Sequence, residues 1–326
     1  MKGGAAMKLG VMMNCFIKDT WDVAVKKAGD AGLRAVEPAA GGYLGNAHCK
    51  PEVLLKDKDA LKRFVDTYTA RDMEISALAV HGNPLHPDES IAVEHAKAII
   101  NGMKLAEKID VKVLNGFAGC PGAGEDAKYP NWITCPWPPF FGEAVQWQWE
   151  KKIIPFWREM AMRLQDSGVK LAFEMHPGDA VYNPETLLML RNEIGDVVAC
   201  NFDPSHIFWQ GVDPLIALKK LRDAIVHVHA KDVLIDEEVV KWRGNIDWKP
   251  QSDIMNRAWT FRTLGYGHDR LWWKKFISTL KLVGYDGVLS IEYEDPLMSA
   301  DEGLRKAVSF MNDVLIFEEA GEMHWM

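Results

Sequence analysis

Eight ionisable residues fall in four pairs within short apolar runs of the second half of the chain: Glu174 and His176, Asp203 and His206, His227 and His229, Glu292 and Glu294. Side chains two apart on a β-strand share a face, so Glu174 with His176, His227 with His229, and Glu292 with Glu294 can each point the same way. A single carboxylate at a strand end is as often a helix cap or an ion-pair partner as a ligand. Four such ends in register are different, because charges sent toward a packed apolar interior need a common partner. A divalent cation is that partner. Carboxylates with imidazole form a mixed oxygen and nitrogen set, which points to Mn²⁺, with Mg²⁺ or Co²⁺ as alternatives, and away from thiolate-rich zinc or iron–sulfur sites. His206, three residues past Asp203, could donate to a substrate hydroxyl or act as a further ligand. His176 could do likewise, and for both an imidazole merely held by a neighbouring carboxylate is the plainer alternative. His227, deeper in its run, reads as structural.

The elements that position these groups recur with a clear rhythm. Runs of strand length lie at 8–15, 33–38, 74–82, 111–119, 169–177, 197–206, 225–232 and 286–295. Their near-continuous Val, Ile, Leu and Ala content is that of parallel strands buried on both faces, which require crossover helices. The stretches between them supply helices. Residues 21–31 follow Asp19 and Thr20 and stop at Gly32, and residues 91–109 follow Asp88 and Ser90. Trp149, Ile153, Phe156, Trp157, Met160 and Leu164 form one stripe ahead of Gly168, where Pro155 must kink the helix or begin it afresh. Leu304, Val308, Met311 and Leu315 give the last helix the same period. Strand and helix alternating eight times predict an α/β fold of the closed (β/α)₈ or TIM-barrel kind, a single domain over residues 1–326. A doubly wound sheet would carry a Gly-rich turn after the first strand, and Asn14-Cys15-Phe16 stands there instead. Two connections are long, 119–142 after strand four and 231–270 after strand seven. Both leave carboxyl ends of strands and read as covers for a substrate or as surfaces for a partner chain.

The bulk composition narrows the partners. A chain of 326 residues with 48% hydrophobic content can bury a large core, and a net charge of −8 argues against nucleic acid, whose non-specific binding rests on clustered Lys and Arg. No run reaches the ~20 apolar residues of a membrane span, and MKGGAAMKLG lacks the apolar stretch of a secretory leader, so a cytoplasmic location and no membrane partner are expected. Cys15, Cys49, Cys120, Cys135 and Cys200 are odd in number and contain no CxxC pair, which fits reduced thiols. Several of the 13 tryptophans crowd into irregular segments, as Trp132, Trp137, Trp147, Trp149, Trp242, Trp248 and Trp259 do. They suit stacking on a sugar face, or equally the packing of long loops.

At AFEMHPG (Glu174), FDPSH (Asp203, His206), HVHAKD (His229) and LSIEYED (Glu292) the chain resembles the xylose-isomerase-like superfamily of barrels, which includes sugar isomerases and epimerases, inosose dehydratases and, more distantly, endonuclease IV. The resemblance covers nearly the whole chain. GYGH at 265–268 is similar to the family's turn before its last unit, and GLRAVEP, ending its strand in Glu37, is similar to its second strand. The resemblance selects Glu174, Asp203, His229 and Glu292 as the set holding one metal ion. It further implies that Glu174 and Glu292 are the catalytic acid/base pair, moving a proton next to a chelated carbonyl through an enediolate. His176, His206, Lys231, Asn115 and His81 are the candidates for contacts to substrate. Family epimerases carry an Arg shortly after the metal His; here Lys231 stands nearby, to replace it or to pair with Asp232, and the nearest arginines are Arg243, Arg257 and Arg262. The expected activity is isomerisation or epimerisation of a sugar or keto-sugar. The alternative is a lyase on the same scaffold, a dehydratase of an inosose-type substrate or an enzyme cleaving a 3-keto-C-glycoside with a small partner subunit. A homo-oligomer is expected. A nuclease of the endonuclease IV type would need more ligands and a basic footprint, and a non-catalytic binding protein would not need two facing glutamates.

Overall fold

In a computed structural model, which describes residues 7–318 and residue 321, eight parallel strands close into a barrel with helices outside. Residues 1–6, part of the segment read above for a leader, lie outside the described residues. The strands are β1 (Lys8–Met12), β2 (Ala35–Glu37), β3 (Glu74–Ile75), β4 (Leu78–Ala79), β5 (Val113–Gly116), β6 (Lys170–Glu174), β7 (Val198–Phe202), β8 (Ile225–Ala230) and β11 (Val288–Ile291). Their order is β3-β2-β1-β11-β8-β7-β6-β5-β4. β3 and β4 are two halves of the third barrel strand, interrupted at Ser76 and Ala77, so the two ends of this order meet and the barrel shuts. Each of the eight predicted runs contains its strand.

Alternation divides every strand between two environments. Leu171 and Phe173 of β6, Cys200 and Phe202 of β7, and Leu289 and Ile291 of β11 face the helices and join the main core; Trp157 meets Phe173 at 4.5 Å between ring centroids. Ala77, Val113 and Ala172 form a small separate cluster. Asn115 and Glu174 lie two residues beyond the last two on the same faces, so these small side chains fill the lumen beneath the polar mouth.

Of the caps expected from the sequence, Asp88 acts as one. Asp88 caps Glu89–Lys108 by accepting from the Ser90 backbone, and the first predicted helix spans Trp21–Asp30. Around Pro155 the chain runs through Phe140–Trp147, then a π-helical stretch Gln148–Ile153, then Ile154–Arg163 with the proline in its first turn. The backbone stays helical throughout, and the π-helical turn ahead of the proline accommodates the hydrogen bond that its ring cannot donate. The helix ends at Arg163, short of Gly168.

The connection after β8 differs from a simple loop. It contains β9 (Asp232–Ile235) and β10 (Trp259–Arg262), paired antiparallel with Asp232 opposite Arg262, and a helix Glu237–Arg243. Trp209, Val233, Ala258, Trp259 and Phe261 form a core of their own beneath this ribbon, joined by Trp132 from the connection after β5. The two long connections therefore pack together. Trp137, Trp242 and Trp248 remain largely exposed. Arg243 pairs with Asp247, Arg262 with Asp295, and Arg257 lies over Trp259, so all three arginines serve the ribbon. Among the described residues no helix is long and apolar enough to cross a membrane, and the five cysteines are unpaired.

Candidate metal centre

β6, β7, β8 and β11 are neighbours in the barrel, and Glu174, Asp203, His229 and Glu292 stand at or just beyond their carboxyl ends. Register sets them side by side: Glu174 opposes Asn201, Ser290 opposes His229, and Glu292 follows Ile291, the partner of Ala230. One donor atom from each of the four lies within 4.8 Å of the others. His229 Nδ1 is 3.0 Å from both Glu174 Oε2 and Glu292 Oε2. All four are buried or nearly so.

Several of these atoms converge without satisfying one another. Asp203 Oδ2 and Glu292 Oε2 are buried and lack a hydrogen-bond partner, although nitrogens lie close by. Buried acceptors are nearly always satisfied, so two orphaned carboxylate oxygens beside an imidazole nitrogen fit a cation between them. The charge balance agrees. Burial by itself raises Glu174, but the imidazoles of His206, His229 and His81 beside it hold its carboxyl well below the usual range. Burial likewise opposes ionisation of Glu292, and Lys231 and His229 bring it down to about 2. Asp203 is pushed up to about 6 by burial, against the pull of His206 and Lys231. Against burial, Glu37 and Glu292 hold His229 well above its ordinary value, and Glu292 and Glu294 do the same for Lys231. Ionised Glu37, Glu174 and Glu292 thus outnumber the two buried cations, and Asp203 joins them above pH 6. A dication held by Glu174, Asp203, His229 and Glu292 would offset that excess, with His229 offering a deprotonated Nδ1 to it.

Glu37, at the end of β2, is the residue whose part the sequence does not disclose. Its Oε2 accepts from His229 Nε2 at 3.0 Å and from Ser290 Oγ at 2.9 Å, and its Oε1 from Asn115 Nδ2 at 2.7 Å. It fixes the His229 ring with Nδ1 turned to the other carboxylates. Its strand-end position was the only available signal. Asn115 is fully buried, bonded to Glu37 and His227. That places it beneath the four groups. His227 is bonded to Ser76, Asn115 and Asn201.

The remaining candidates stand at the rim. His81 Nε2 is 3.2 Å from Glu174 Oε2, with Nδ1 unpartnered. Lys231 Nζ lies 2.6 Å from Glu294, 3.3 Å from Glu292 and 3.9 Å from Asp203, over the Phe261 ring at 4.3 Å. It does not pair with Asp232, whose carboxylate instead accepts from the backbones of Gly265, Gly267 and His268 and so holds the GYGH turn. His206 Nε2 is 3.0 Å from Glu174 Oε1, and the His176 ring packs on His206 at 4.3 Å. Burial drops His176 to about 3.

The comparisons with known proteins agree with this architecture. A family model described as xylose isomerase-like TIM barrel matches residues 25–314. The uncharacterized protein YfiH of Bacillus subtilis (strain 168) is 38% identical over 291 residues, 88% of this chain and 93% of its own length. An inosose dehydratase of Glaesserella parasuis serovar 5 (strain SH0165) is 28% identical over 142 residues, covering 36% of this chain and 46% of that protein. Among solved structures, IOLI protein with a binding zinc atom superposes with a TM-score of 0.63 at 18% identity, covering 94% of this chain and 98% of that one. With the family match spanning most of its length, the chain belongs to the xylose isomerase-like TIM barrel family.

Proposed function

We propose that the protein is a divalent-metal-dependent enzyme that removes the proton next to a carbonyl of a sugar or keto-sugar and returns it as an isomerase or epimerase. The observation that carries this reading is the placing of Glu174 and Glu292 at the two ends of an arc of four adjacent strands, with Asp203 and His229 between them. Two carboxylates so placed can take a proton from one side of a substrate carbon and give one back from the other. Glu174, Asp203, His229 and Glu292 would hold the ion, with Mn²⁺ suited to three carboxylates and one imidazole. When bound, the ion polarises the substrate carbonyl and so acidifies the adjoining C–H bond. Lys231 and His81, whose polar atoms stand at the edge of the four groups, would orient substrate oxygens. The ribbon of β9 and β10, through Phe261, walls the same side and limits water.

A second reading, elimination, is favoured by the inosose dehydratase among the relatives. Proton removal is common to both; in elimination a β-hydroxyl then leaves as water, taking up a proton as it goes. One experiment separates them. Mn²⁺-loaded protein is incubated in D₂O with a panel of keto-sugars, inososes and 3-keto-glycosides. Deuterium beside the carbonyl with the substrate's covalent mass otherwise kept is the expected result; loss of one water would identify the lyase. If no substrate takes up deuterium and Glu174→Gln behaves as the unaltered protein, the reading fails.

A further inference from the structure

The two oxygens of Glu174 face different nitrogens. Oε2 belongs to the group just described, with His229 Nδ1 at 3.0 Å, whereas Oε1 lies 3.0 Å from His206 Nε2. His206 is 1% exposed, yet neither of its ring nitrogens has a hydrogen-bond partner. His176 Nδ1 lies 2.7 Å from the Pro177 carbonyl, which can only accept; Nδ1 therefore carries the proton and Nε2 keeps a free lone pair. One donor atom each from Glu174, His176 and His206 lies within 4.8 Å of the others. Zn²⁺ takes imidazole nitrogen and carboxylate oxygen at about 2.0–2.2 Å. Neighbouring donors around such an ion stand roughly 3–4 Å apart by that geometry, and the Glu174–His206 separation is of this size.

We propose that Glu174 Oε1, His176 and His206 form a second cation site, bridged to the first through Glu174. Two imidazoles and one carboxylate make a softer set than three carboxylates and one imidazole, so the second site favours a borderline ion such as Zn²⁺ more than the first does, and the first stays filled with Mn²⁺ where Mn²⁺ is in excess. An ion there also occupies an oxygen of the glutamate that moves the proton. This last step rests on the reading under Proposed function: zinc at the second site then slows proton exchange.

The test titrates Mn²⁺-saturated protein with Zn²⁺ in buffer containing excess Mn²⁺, using calorimetry, followed by metal analysis after desalting. One Zn²⁺ per chain is expected on top of one retained Mn²⁺. His176→Ala, and separately His206→Gln, should lower the Zn²⁺ affinity at least tenfold and leave the Mn²⁺ in place, with melting temperature as the check on folding. Mn²⁺ electron paramagnetic resonance of the unaltered protein provides a reading independent of the variants: bound manganese should persist as zinc is added. Release of free manganese, with total metal never above one per chain, overturns this proposal alone. A chain that binds no Mn²⁺ yet binds one Zn²⁺, lost in His176→Ala, instead overturns the first-site assignment. At one added Zn²⁺ the deuterium exchange above should fall at least tenfold, and zinc that fills the site without slowing exchange would refute the braking step.

Discussion

Glu37 makes the case for looking one bond beyond the four converging groups. Its carboxylate orients His229 by holding Nε2, and the ring can then offer only Nδ1. Replacement by Gln keeps the shape but removes the charge, and outer partners of this kind typically contribute 10–100-fold in metal affinity. Glu37→Gln is therefore expected to weaken Mn²⁺ binding by about that factor, read as a calorimetric dissociation constant, with the fold intact. Asp179 yields a prediction of a different kind. Burial pushes its carboxyl up to about 8, against hydrogen bonds from the Ala180, Gly119 and Val181 backbones. The folded chain thus keeps a proton there that the unfolded chain loses above pH ~4. The contribution is fully present below that point and is lost as pH rises toward 8, by up to about 1.4 kcal/mol per pH unit. Asp179→Asn should then melt higher than the unaltered protein at pH 8.5 and equally at pH 4, measured by calorimetric melting; equal melting at both values would contradict the assignment.

At the scale of elements, the ribbon of β9 and β10 is tied to the GYGH turn by a buried carboxylate. Asp232 collects the backbone N–H groups of Val233, Gly265, Gly267 and His268, together with the His268 ring. Asp232→Ala leaves these donors without their acceptor, at ~1–3 kcal/mol for each buried unsatisfied group. Urea unfolding should register a loss of at least about 3 kcal/mol on that basis. Gly267 is constrained by the same turn: a Cβ there would overlap the Val233 carbonyl and stand 2.6 Å from Asp232 Oδ1. Gly267→Ala is expected to cost about 1–3 kcal/mol through that overlap and to disturb Lys231, which shares the segment. The sequence announces a long connection here but not its structure. Val233, Trp259 and Phe261 are too few and too far apart in the chain to reveal an antiparallel pair whose cross-strand partners are 24 or more residues apart, as Trp259 and Ile235 are.

At the scale of the molecule, a barrel that gathers Glu37, Glu174, Asp203 and Glu292 at one mouth carries self-repulsion that a bound dication would relieve. A ligand that binds only the folded state stabilises it by ~2.7 kcal/mol at one hundred times its dissociation constant. Chelation of the metal-loaded protein should accordingly lower its melting temperature by several degrees, and Mn²⁺ should restore it; melting indifferent to EDTA would speak against the site. The eight strands and most helix ends were legible in the sequence because they depend on local matters: apolar runs, capping residues, a proline that must begin a turn. The motifs at Glu174, Asp203, His229 and Glu292 were legible for the same reason, each lying at the end of a readable strand. Only the closed barrel decided what those residues meet. It drew Asn115 under Glu37, turned Lys231 from Asp232 to Glu294, and gave the two oxygens of Glu174 different neighbours. Such choices depend on which strands become adjacent when the sheet shuts, and on contacts between segments far apart in the chain, such as Glu37 and Ser290 at a separation of 253 residues; no local pattern encodes them.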